Sequence, residues 1–480
     1  MRRVSAWALP ALLALTASLM AQQAPAPDRT VRPELGPPPE LRLPPIDKRQ
    51  LANGLPVWII ESHEVPLAQL DLTVLTGAAG DPADKLGVAS LTASMLDEGA
   101  GMRSALELAD AVEFLGARLT TGSSFDASVV RLNVPVARLA EGLALMADVA
   151  LRPTFPEADV ERLRQERLTA LLQARDDPGS IAGIAFSRFV FGPDHRFGTG
   201  PGGNEQTIPG LTRDDLVAFH RRAYQPGNAT LVVVGDVEAD ALMEQLERAF
   251  GGWRSTAPVV RAAIPEAPLP NGRIHLIDKP GAEQSQIRIG RPAAARSTPD
   301  YYALQVLNTV LGGAFSSRLN QNLREEHGYA YGAGSVFDFR KATGPFVAYA
   351  AVQTDKTAES LQEFYNEFRA ITEPVPAEEL ERAKNYLALS FPSQFETLTD
   401  LTGQLQDQVV YDLPADYFER YVSRIEAVTA ADVQRVAREY ITPGRFAVIV
   451  VGDRARVEAG LRALQLGEVE TLTVDEALPR

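Results

Sequence analysis

A polar and aromatic cluster in the later part of the chain offers groups that could bind an electron-rich oxygen. Arg324 lies in a polar segment, and Tyr329 and Tyr331 follow it across Gly328. Glycine is the commonest residue just past a helix end, because it adopts the left-handed conformation without a Cβ penalty. The spacing therefore predicts a helix that carries Arg324, a stop at Gly328, and a strand that opens with the two tyrosines. A guanidinium and a phenolic hydroxyl that converge from two elements suit a carbonyl or an oxyanion.

Two glycines precede this cluster. Gly312 and Gly313 lie in a turn before the helix of Arg324. Because glycine has no Cβ, the pair could let a peptide backbone approach closely. The alternative is a plain turn at the entry of the helix. The sequence supports both interpretations equally.

Composition limits the class of protein. The 480 residues are too many for one hydrophobic core and suggest about two to four domains. An apolar content of 45% and a charged content of 23% are typical of soluble globular proteins. The net charge of -15 argues against nucleic acids and anionic membranes as partners, and is compatible with basic peptide substrates. The absence of cysteine excludes disulfides, a cysteine nucleophile and thiolate zinc sites.

The N-terminus has the pattern of an export signal. In residues 1–21, two arginines precede an apolar run that ends near a cleavage site at Ala21. The run is shorter than the roughly 20 residues that span a bilayer, and Pro10 interrupts it. We therefore expect a periplasmic or secreted protein, with an uncleaved N-terminal anchor as the alternative. The proline-rich residues 22–46 are expected to form an extended tether.

Periodicity predicts the elements that position these residues. In the first half, the pattern predicts a hairpin over 51–61 with its turn at Asn53-Gly54, a strand over 68–75, helices over 88–96 and 106–115, a strand pair over 117–121 and 128–134, helices over 136–150, 156–175 and 211–224, and a strand over 229–234.

The chain also contains a long internal repeat. Three anchors recur at one offset of 217 residues: Thr212 with Thr429, Pro226 with Pro443, and Gly235 with Gly452. A period this long indicates duplicated domains, because the units of a solenoid run to about 20–50 residues. We expect mixed α+β halves over 47–250 and 272–466, with helices packed on one face of each sheet. Residues 251–271 are expected to be the linker, and the acidic tail 467–480 to be disordered.

Several of these phrases together resemble the pitrilysin/insulinase-type zinc peptidases, which include the mitochondrial processing peptidases. The resemblance rests on the segment 311–331, on the phrase Asp194-His195-Arg196-Phe197-Gly198, and on the helix, Pro, apolar strand and Gly-Asp that close each half. It covers about Lys48 to Leu464 and implies two homologous halves, joined by a linker into a clam shell.

The resemblance also implies roles for the cluster. Arg324 would bind the carbonyl of a peptide substrate, and the hydroxyl of Tyr331 would donate to the tetrahedral oxyanion. Tyr329 is the alternative donor. Together with Gly312 and Gly313, these residues are the candidate substrate-contacting positions.

The zinc motif of the family is missing. Active members carry His-x-x-Glu-His on the first long helix, where two imidazoles bind zinc and the glutamate activates the bound water. Here the two ligand positions fall on Ser90 and Ser94, and the glutamate position falls on Ala93. Glu161 and Glu166 lie where a later ligand would be expected, but a lone carboxylate cannot hold zinc. We therefore expect this chain to bind no cofactor and to be inactive alone.

Two functions fit this pattern. The chain could be the non-zinc-binding subunit of a heterodimeric metallopeptidase that degrades or processes unstructured peptides. A homologous partner would then supply the zinc, and peptides would bind by strand addition at a sheet edge. Alternatively, it could be a non-enzymatic scaffold or peptide-binding protein that keeps the fold, since a fold does not imply a function. An independent hydrolase finds no support, because no Gly-x-Ser-x-Gly elbow is present.

Overall fold

Two six-stranded sheets form the framework of the protein. The computed structural model describes residues 43–255 and 263–478. The first sheet consists of β1 (Asp47–Gln50), β2 (Pro56–Glu61), β3 (Leu67–Val74), β6 (Arg118–Ser123), β7 (Ser128–Pro135) and β8 (Ala229–Gly235). The second consists of β9 (Ile274–Asp278), β10 (Gln284–Ala294), β11 (Ala330–Phe337), β12 (Gly344–Gln353), β13 (Ala447–Gly452) and β14 (Val469–Leu472). A separate small ribbon pairs β4 (Gly99–Ala100) with β5 (Arg103–Ser104).

Helices pack on both sheets. Those before residue 256 are α1 (Val88–Met95), α2 (Ala105–Phe114), α3 (Leu139–Leu151), α4 (Glu157–Ala174), α5 (Pro178–Phe191), α6 (Arg213–Ala223) and α7 (Ala239–Phe250). Those after residue 262 are α8 (Tyr301–Asn308), α9 (Arg318–Asn320), α10 (Thr357–Ala370), α11 (Ala377–Ser390), α12 (Leu398–Val410), α13 (Tyr417–Glu426), α14 (Ala430–Tyr440), α15 (Arg454–Ala463) and α16 (Val474–Ala477). None of the helices in these described ranges is long and apolar enough to cross a membrane.

The order of the strands supports the duplication. The first sheet runs β1-β2-β8-β3-β7-β6, and the second, taken from its other edge, runs β14-β9-β13-β10-β12-β11. In the first sheet, the closing strand β8 lies between β2 and β3 and is parallel to β2; in the second sheet, the closing strand β13 lies between β9 and β10 and is parallel to β9. The α+β fold predicted from the sequence, with two homologous halves, is confirmed.

The two sheets differ at one edge, which in the second sheet is formed by the C-terminal tail. The prediction that this tail is disordered is therefore wrong. In the first sheet, β1 lies antiparallel to β2. In the second sheet, the same edge is occupied by β14, which pairs in parallel with β9. The tail is ordered because its backbone completes this edge and because Ala477 and Leu478 are buried. The predicted signal 1–21 and most of the tether, up to residue 42, lie outside the described residues, as do residues 256–262 of the linker.

Turn and capping residues in the sequence predicted most strands and helices of the first half correctly. Gly54 takes a φ of 90° in the turn between β1 and β2. Thr212 caps α6, and its side chain exchanges hydrogen bonds with Asp215 in a capping box. Thr429 and Asp432 form the same box at the start of α14. The repeat is therefore preserved in hydrogen bonds as well as in sequence.

The two halves exchange a helix. α5, which was not predicted from the sequence, packs on β10 and β13 of the second sheet. Its counterpart in the repeat, α12, packs on β3 and β8 of the first sheet. The contact of α5 is close: a Cβ built on Gly290 would lie 2.9 Å from Cζ of Phe186. Each half therefore completes the core of the other.

This exchange makes a prediction about stability. Phe186 is 5% exposed, so Phe186→Ala should lower the free energy of unfolding by about 3–5 kcal/mol. Phe114→Ala is the matched control, because Phe114 is 81% exposed on α2 and its loss should change stability by no more than about 0.5 kcal/mol. Urea unfolding followed by circular dichroism measures both. Equal effects of the two substitutions would mean that α5 does not anchor the second sheet.

Candidate functional site

The segment around Arg324 has the predicted order of helix, stop and strand. α9 continues directly into a π-helical turn, Gln321–Glu326, which carries Arg324. Gly328 takes a φ of 64°, the left-handed conformation expected at a helix end. β11 begins at Ala330, one residue later than predicted, so Tyr329 precedes the strand.

Arg324 and Tyr331 converge on the surface. The guanidinium carbon of Arg324 lies 5.2 Å from the centroid of the Tyr331 ring and 4.6 Å from that of Phe315. Its Nε lies 3.2 Å from a carboxylate oxygen of Glu325. Tyr331 is 87% exposed, and its hydroxyl makes no hydrogen bond to the described residues. Cation–π contacts hold the guanidinium, so both groups remain available to a ligand.

Tyr329 lies elsewhere. Its ring stacks on His327 with centroids 4.9 Å apart, and Nζ of Lys356 lies 5.8 Å from it. It also packs against the core of the second half. Tyr329 is not among the described residues that line the cavity at Arg324. Of the two tyrosines, Tyr331 is therefore the one placed to donate a hydroxyl there.

Arg324 and Tyr331 line a cavity of about 720 Å³ on one face of the second sheet. The other lining residues that the argument uses are Arg288, Gly312, Gly313, Phe315, Gly334 and Tyr349. β11 borders this cavity and is an edge strand, paired with β12 alone among the described strands. The pairing shifts register between Ala330 and Ala333, around Tyr331. An extended peptide could add to the free edge of β11 beside the cavity.

The two glycines are tightly packed. A Cβ on Gly312 would lie 2.4 Å from both N and Oγ of Ser335 on β11. A Cβ on Gly313 would lie 2.5 Å from Nδ2 of Asn308. Both residues belong to the π-helical turn Thr309–Gly313, which follows α8 directly. The geometry favours a packing role for Gly312, which brings this turn against β11.

The degenerate zinc positions lie on α1, as predicted. Asp81 caps the start of this helix: its carboxylate accepts from N of Gly87 at 2.8 Å and of Ala89 at 3.1 Å, and pairs with Arg196. Burial raises the pKa of Asp81 to about 6, although Arg196 and the two N–H groups favour its ionised form. The helix has therefore kept its capping interactions while its zinc-binding side chains are absent.

An arginine lies where the ligands are missing. The hydroxyl of Ser94 donates to the carbonyl of Ser90 at 3.1 Å, and Nη2 of Arg167 donates to the same hydroxyl at 3.3 Å. Burial lowers the pKa of Arg167, and the charge of Asp81 opposes that shift. Nη1 of Arg167 is buried and has no hydrogen-bond partner among the described residues. Serine hydroxyls therefore stand at the two positions where zinc ligands would be, and the guanidinium of Arg167 lies beside them.

These residues do not fit zinc. Zinc sites use thiolate, imidazole and carboxylate donors, whereas α1 supplies two hydroxyls and Ala93. A guanidinium beside Ser94 would repel a divalent cation. Glu166 pairs with Arg162 on the solvent side of α4, and Glu161 pairs with Arg164. Within the described ranges, no group of three or more His, Cys, Asp or Glu could hold a metal.

Two family descriptions match the chain. "Insulinase (Peptidase family M16)" matches residues 57–178, and "Peptidase M16 inactive domain" matches residues 210–387. Together they match parts of both halves of the repeat and more than half of the chain. The chain belongs to the M16, or insulinase, family of peptidases. Its resemblance to that family, expected from the sequence, is confirmed.

Relatives agree with this assignment. An uncharacterised zinc protease of Mycobacterium bovis is 28% identical over 410 residues, which cover 84% of this chain and 92% of the relative. A crystal structure of a peptidase M16 inactive domain from Pseudomonas fluorescens has a TM-score of 0.79 and 26% identity, covering 85% of this chain and 98% of its own.

A third comparison concerns size. The first half of the periplasmic protease PqqL from Escherichia coli has a TM-score of 0.72 and 18% identity, covering 89% of this chain and 97% of that half. Against the structure of the whole of PqqL, the match covers 51% of that chain. The fold of this M16 chain therefore corresponds to one half of a longer relative.

Sequence reasoning missed three residues at these sites. Arg288 and Tyr349 lie on neighbouring strands of the second sheet but 61 positions apart in the chain. Arg167 reaches Ser94 across 73 residues. No local motif marks such contacts, although the offset of 217 pairs Arg288 with Asp71 of the first half and could have drawn attention to it.

The role of Arg167 can be tested by rebuilding the motif. A variant with Ser90→His, Ala93→Glu and Ser94→His should still bind zinc weakly, because the guanidinium remains beside the ligands. Adding Arg167→Ala should raise the zinc affinity at least about tenfold, which corresponds to about 1.4 kcal/mol. Competition with a chromophoric chelator measures the affinity. Arg162→Ala in the same background is the control, since Arg162 is already engaged by carboxylates; an equal gain there would refute a specific effect of Arg167.

The packing role of Gly312 predicts a loss of stability. Gly312→Ala should lower the free energy of unfolding by about 1–3 kcal/mol, because the new methyl group overpacks the contact with Ser335. Gly202→Ala is the control, since a Cβ there meets open space. Thermal unfolding and the affinity for an unstructured peptide are measured on the same samples. Unchanged stability with lost peptide affinity would instead support close approach of a substrate backbone.

Proposed function

We propose that this M16 chain is the non-zinc-binding subunit of a heterodimeric metallopeptidase that degrades or processes peptides. One observation carries the proposal: the zinc-binding residues are replaced at one candidate site, whereas the Arg/Tyr pair is present at the other. On α1, Ser90, Ala93 and Ser94 replace the zinc motif, and Arg167 adds a cation beside them. On the second sheet, Arg324 and Tyr331 remain together at the wall of a large cavity. A chain of this kind can assist peptide hydrolysis only at a metal that another chain brings.

The retained pair has a defined chemistry. Arg324 is a fixed cation that can bind the carbonyl oxygen of a peptide and keep it oriented. The exposed hydroxyl of Tyr331 can donate to the oxygen on which negative charge develops during hydrolysis. A donor that strengthens its bond as this charge develops accelerates the reaction. The zinc-bearing partner would supply the activated water.

Size and edge geometry support a shared enclosure. The chain matches in fold one half of the longer periplasmic protease PqqL, so two chains of this length together reach the length of that protein. The free edge of β11 lies beside Arg324 and Tyr331 and could hold an extended substrate by strand addition. We propose that the substrates are unstructured peptides bound between the two subunits.

The export signal predicted over residues 1–21 completes the proposal. It places the subunit in the periplasm or outside the cell, and the zinc-bearing partner in the same compartment. A non-enzymatic scaffold is the second candidate, favoured by the loss of all three chemical groups on α1. The retained Arg324 and Tyr331 favour the enzyme subunit.

Reconstitution tests the proposal. The chain is assayed with an unstructured peptide and zinc, alone and mixed with an exported homologue that carries His-x-x-Glu-His. Activity should arise only in the mixture, and Arg324→Ala or Tyr331→Phe should each lower kcat/KM by about 10²–10³, the effect of losing one oxyanion donor.

Matched controls come from exposed residues elsewhere. Arg456→Ala on α15 and Tyr386→Phe on α11 should leave the activity of the mixture unchanged, because neither residue lines the cavity. Activity of this chain alone would contradict the absence of a working metal site. Peptide binding without activity in any mixture would assign the chain to the scaffold class.

A further inference from the structure

Arg288 lies on β10, at the border between the part of the second sheet that α5 covers and the part that remains open. In the register of the strands, Arg288 on β10 faces Tyr349 on β12, which faces Gly334 on β11. All three residues line the cavity of Arg324 and Tyr331. Arg288 also lines an adjoining cavity of about 560 Å³, bounded by α5 and α12. Arg288 therefore belongs to the lining of both cavities.

This guanidinium has no counter-charge of its own. Burial lowers the pKa of Arg288, and the smaller effect of Tyr349 opposes that shift. Among the described residues, no hydrogen bond or ion pair to its side chain is found. The lining of the larger cavity contains Arg288 and Arg324 but no Asp or Glu. A partly desolvated cation without a partner is costly, and a carboxylate that enters the cavity would relieve that cost.

The first half provides an internal comparison. The residue 217 positions before Arg288 is Asp71, which lies on β3 in the place that Arg288 occupies on β10. Asp71 accepts from Nε of the cross-strand Arg131 at 3.0 Å and from Gln69 at 2.7 Å. The charges at this position are therefore balanced in the first sheet. In the second sheet, Arg288 faces Tyr349 and remains unpaired.

We propose that the cavity of the second sheet selects peptides that carry a carboxylate, which binds to Arg288 while Arg324 holds the neighbouring main chain. A planar guanidinium can donate two parallel hydrogen bonds to the two oxygens of a carboxylate. The carboxylate can come from an Asp or Glu side chain or from a peptide C-terminus. This inference rests on the proposed function only in taking peptides as the ligands. The net charge of -15 is compatible with basic peptides as ligands. The carboxylate site predicts acidic ones instead, because the local charge of the cavity is positive.

Peptide binding to the purified chain tests the proposal. Three fluorescent peptides of one unstructured sequence are compared by anisotropy at low salt: one with two glutamates and an amidated end, one with glutamines in their place and an amidated end, and one with glutamines and a free C-terminus. At least one carboxylate peptide should bind about tenfold or more tightly than the neutral one. The peptide that gains identifies the source of the carboxylate.

Variants locate the effect. Arg288→Gln should abolish the preference, so that the carboxylate and neutral peptides bind the variant equally, and Arg288→Lys should retain part of the preference. Arg456→Gln, which removes an exposed charge from α15 on the opposite face of the sheet, should change neither affinity. Thermal unfolding of each variant verifies that it is folded.

The outcomes separate this inference from the proposed function. Equal binding of all three peptides, or a preference that survives Arg288→Gln, would overturn the carboxylate site, even if the mixed subunits cleave peptides. The absence of measurable binding by any peptide would also overturn it. Selective carboxylate binding without activity in the mixture would retain the site and reject the enzyme subunit.

Discussion

The exchange of α5 and α12 between the two sheets is the contact on which the rest of the structure depends. Each helix covers part of the sheet of the opposite half. Buried apolar residues of the helix and of that sheet pack together there. Because α5 covers β10 and β13, it leaves the end of the second sheet at β11 and β12 open. The cavity with Arg288, Arg324 and Tyr331 occupies this open part. The packing that joins the halves therefore also determines where a ligand can enter.

The two candidate sites show how this fold can lose one chemistry and keep another. α1 depends on backbone caps at Asp81 and on buried apolar residues, and neither requires the zinc ligands. Serines and an alanine can therefore occupy the ligand positions without loss of the helix. The cavity of the second sheet depends on the tight turn at Gly312 and on the edge strand β11, both of which are present. In the proposed heterodimer, a chain with these properties would need its partner to act as a peptidase and would contribute its own surface for holding peptides.

Much of the fold was predictable because its signals are local. The stop at Gly328, the capping boxes at Thr212 and Thr429, and the offset of 217 residues all lie in short segments of sequence. α5 was missed because it has buried residues at many positions along its length, so its apolar pattern has little amphipathic contrast. Its start at Asp177-Pro178 was nevertheless a usable capping signal. β14 was missed because an acidic tail becomes a strand only when a sheet edge receives it.

The site was predictable only in part, for a related reason. Arg324 and Tyr331 are joined by one helix end, so their convergence follows from local geometry. Arg167 and Arg288 act through contacts between distant segments. The effect of each charge depends on the residue beside it, which is Ser94 for Arg167 and Tyr349 for Arg288. The net charge of the chain is compatible with basic ligands, whereas Arg288 and Arg324, in a cavity whose lining contains no Asp or Glu, favour acidic ones.

The proposed heterodimer places the cavity of this chain against the metal of a partner subunit. Because the chain has no cysteine, a spin label can be attached at a single site introduced by Ser316→Cys, beside Phe315 and Arg324. A shared active site predicts strong paramagnetic broadening of this label when the zinc-motif homologue is added with cobalt in its site, and little broadening of a label at Arg456→Cys. No broadening at Ser316→Cys, or equal broadening at both positions, would contradict a shared active site.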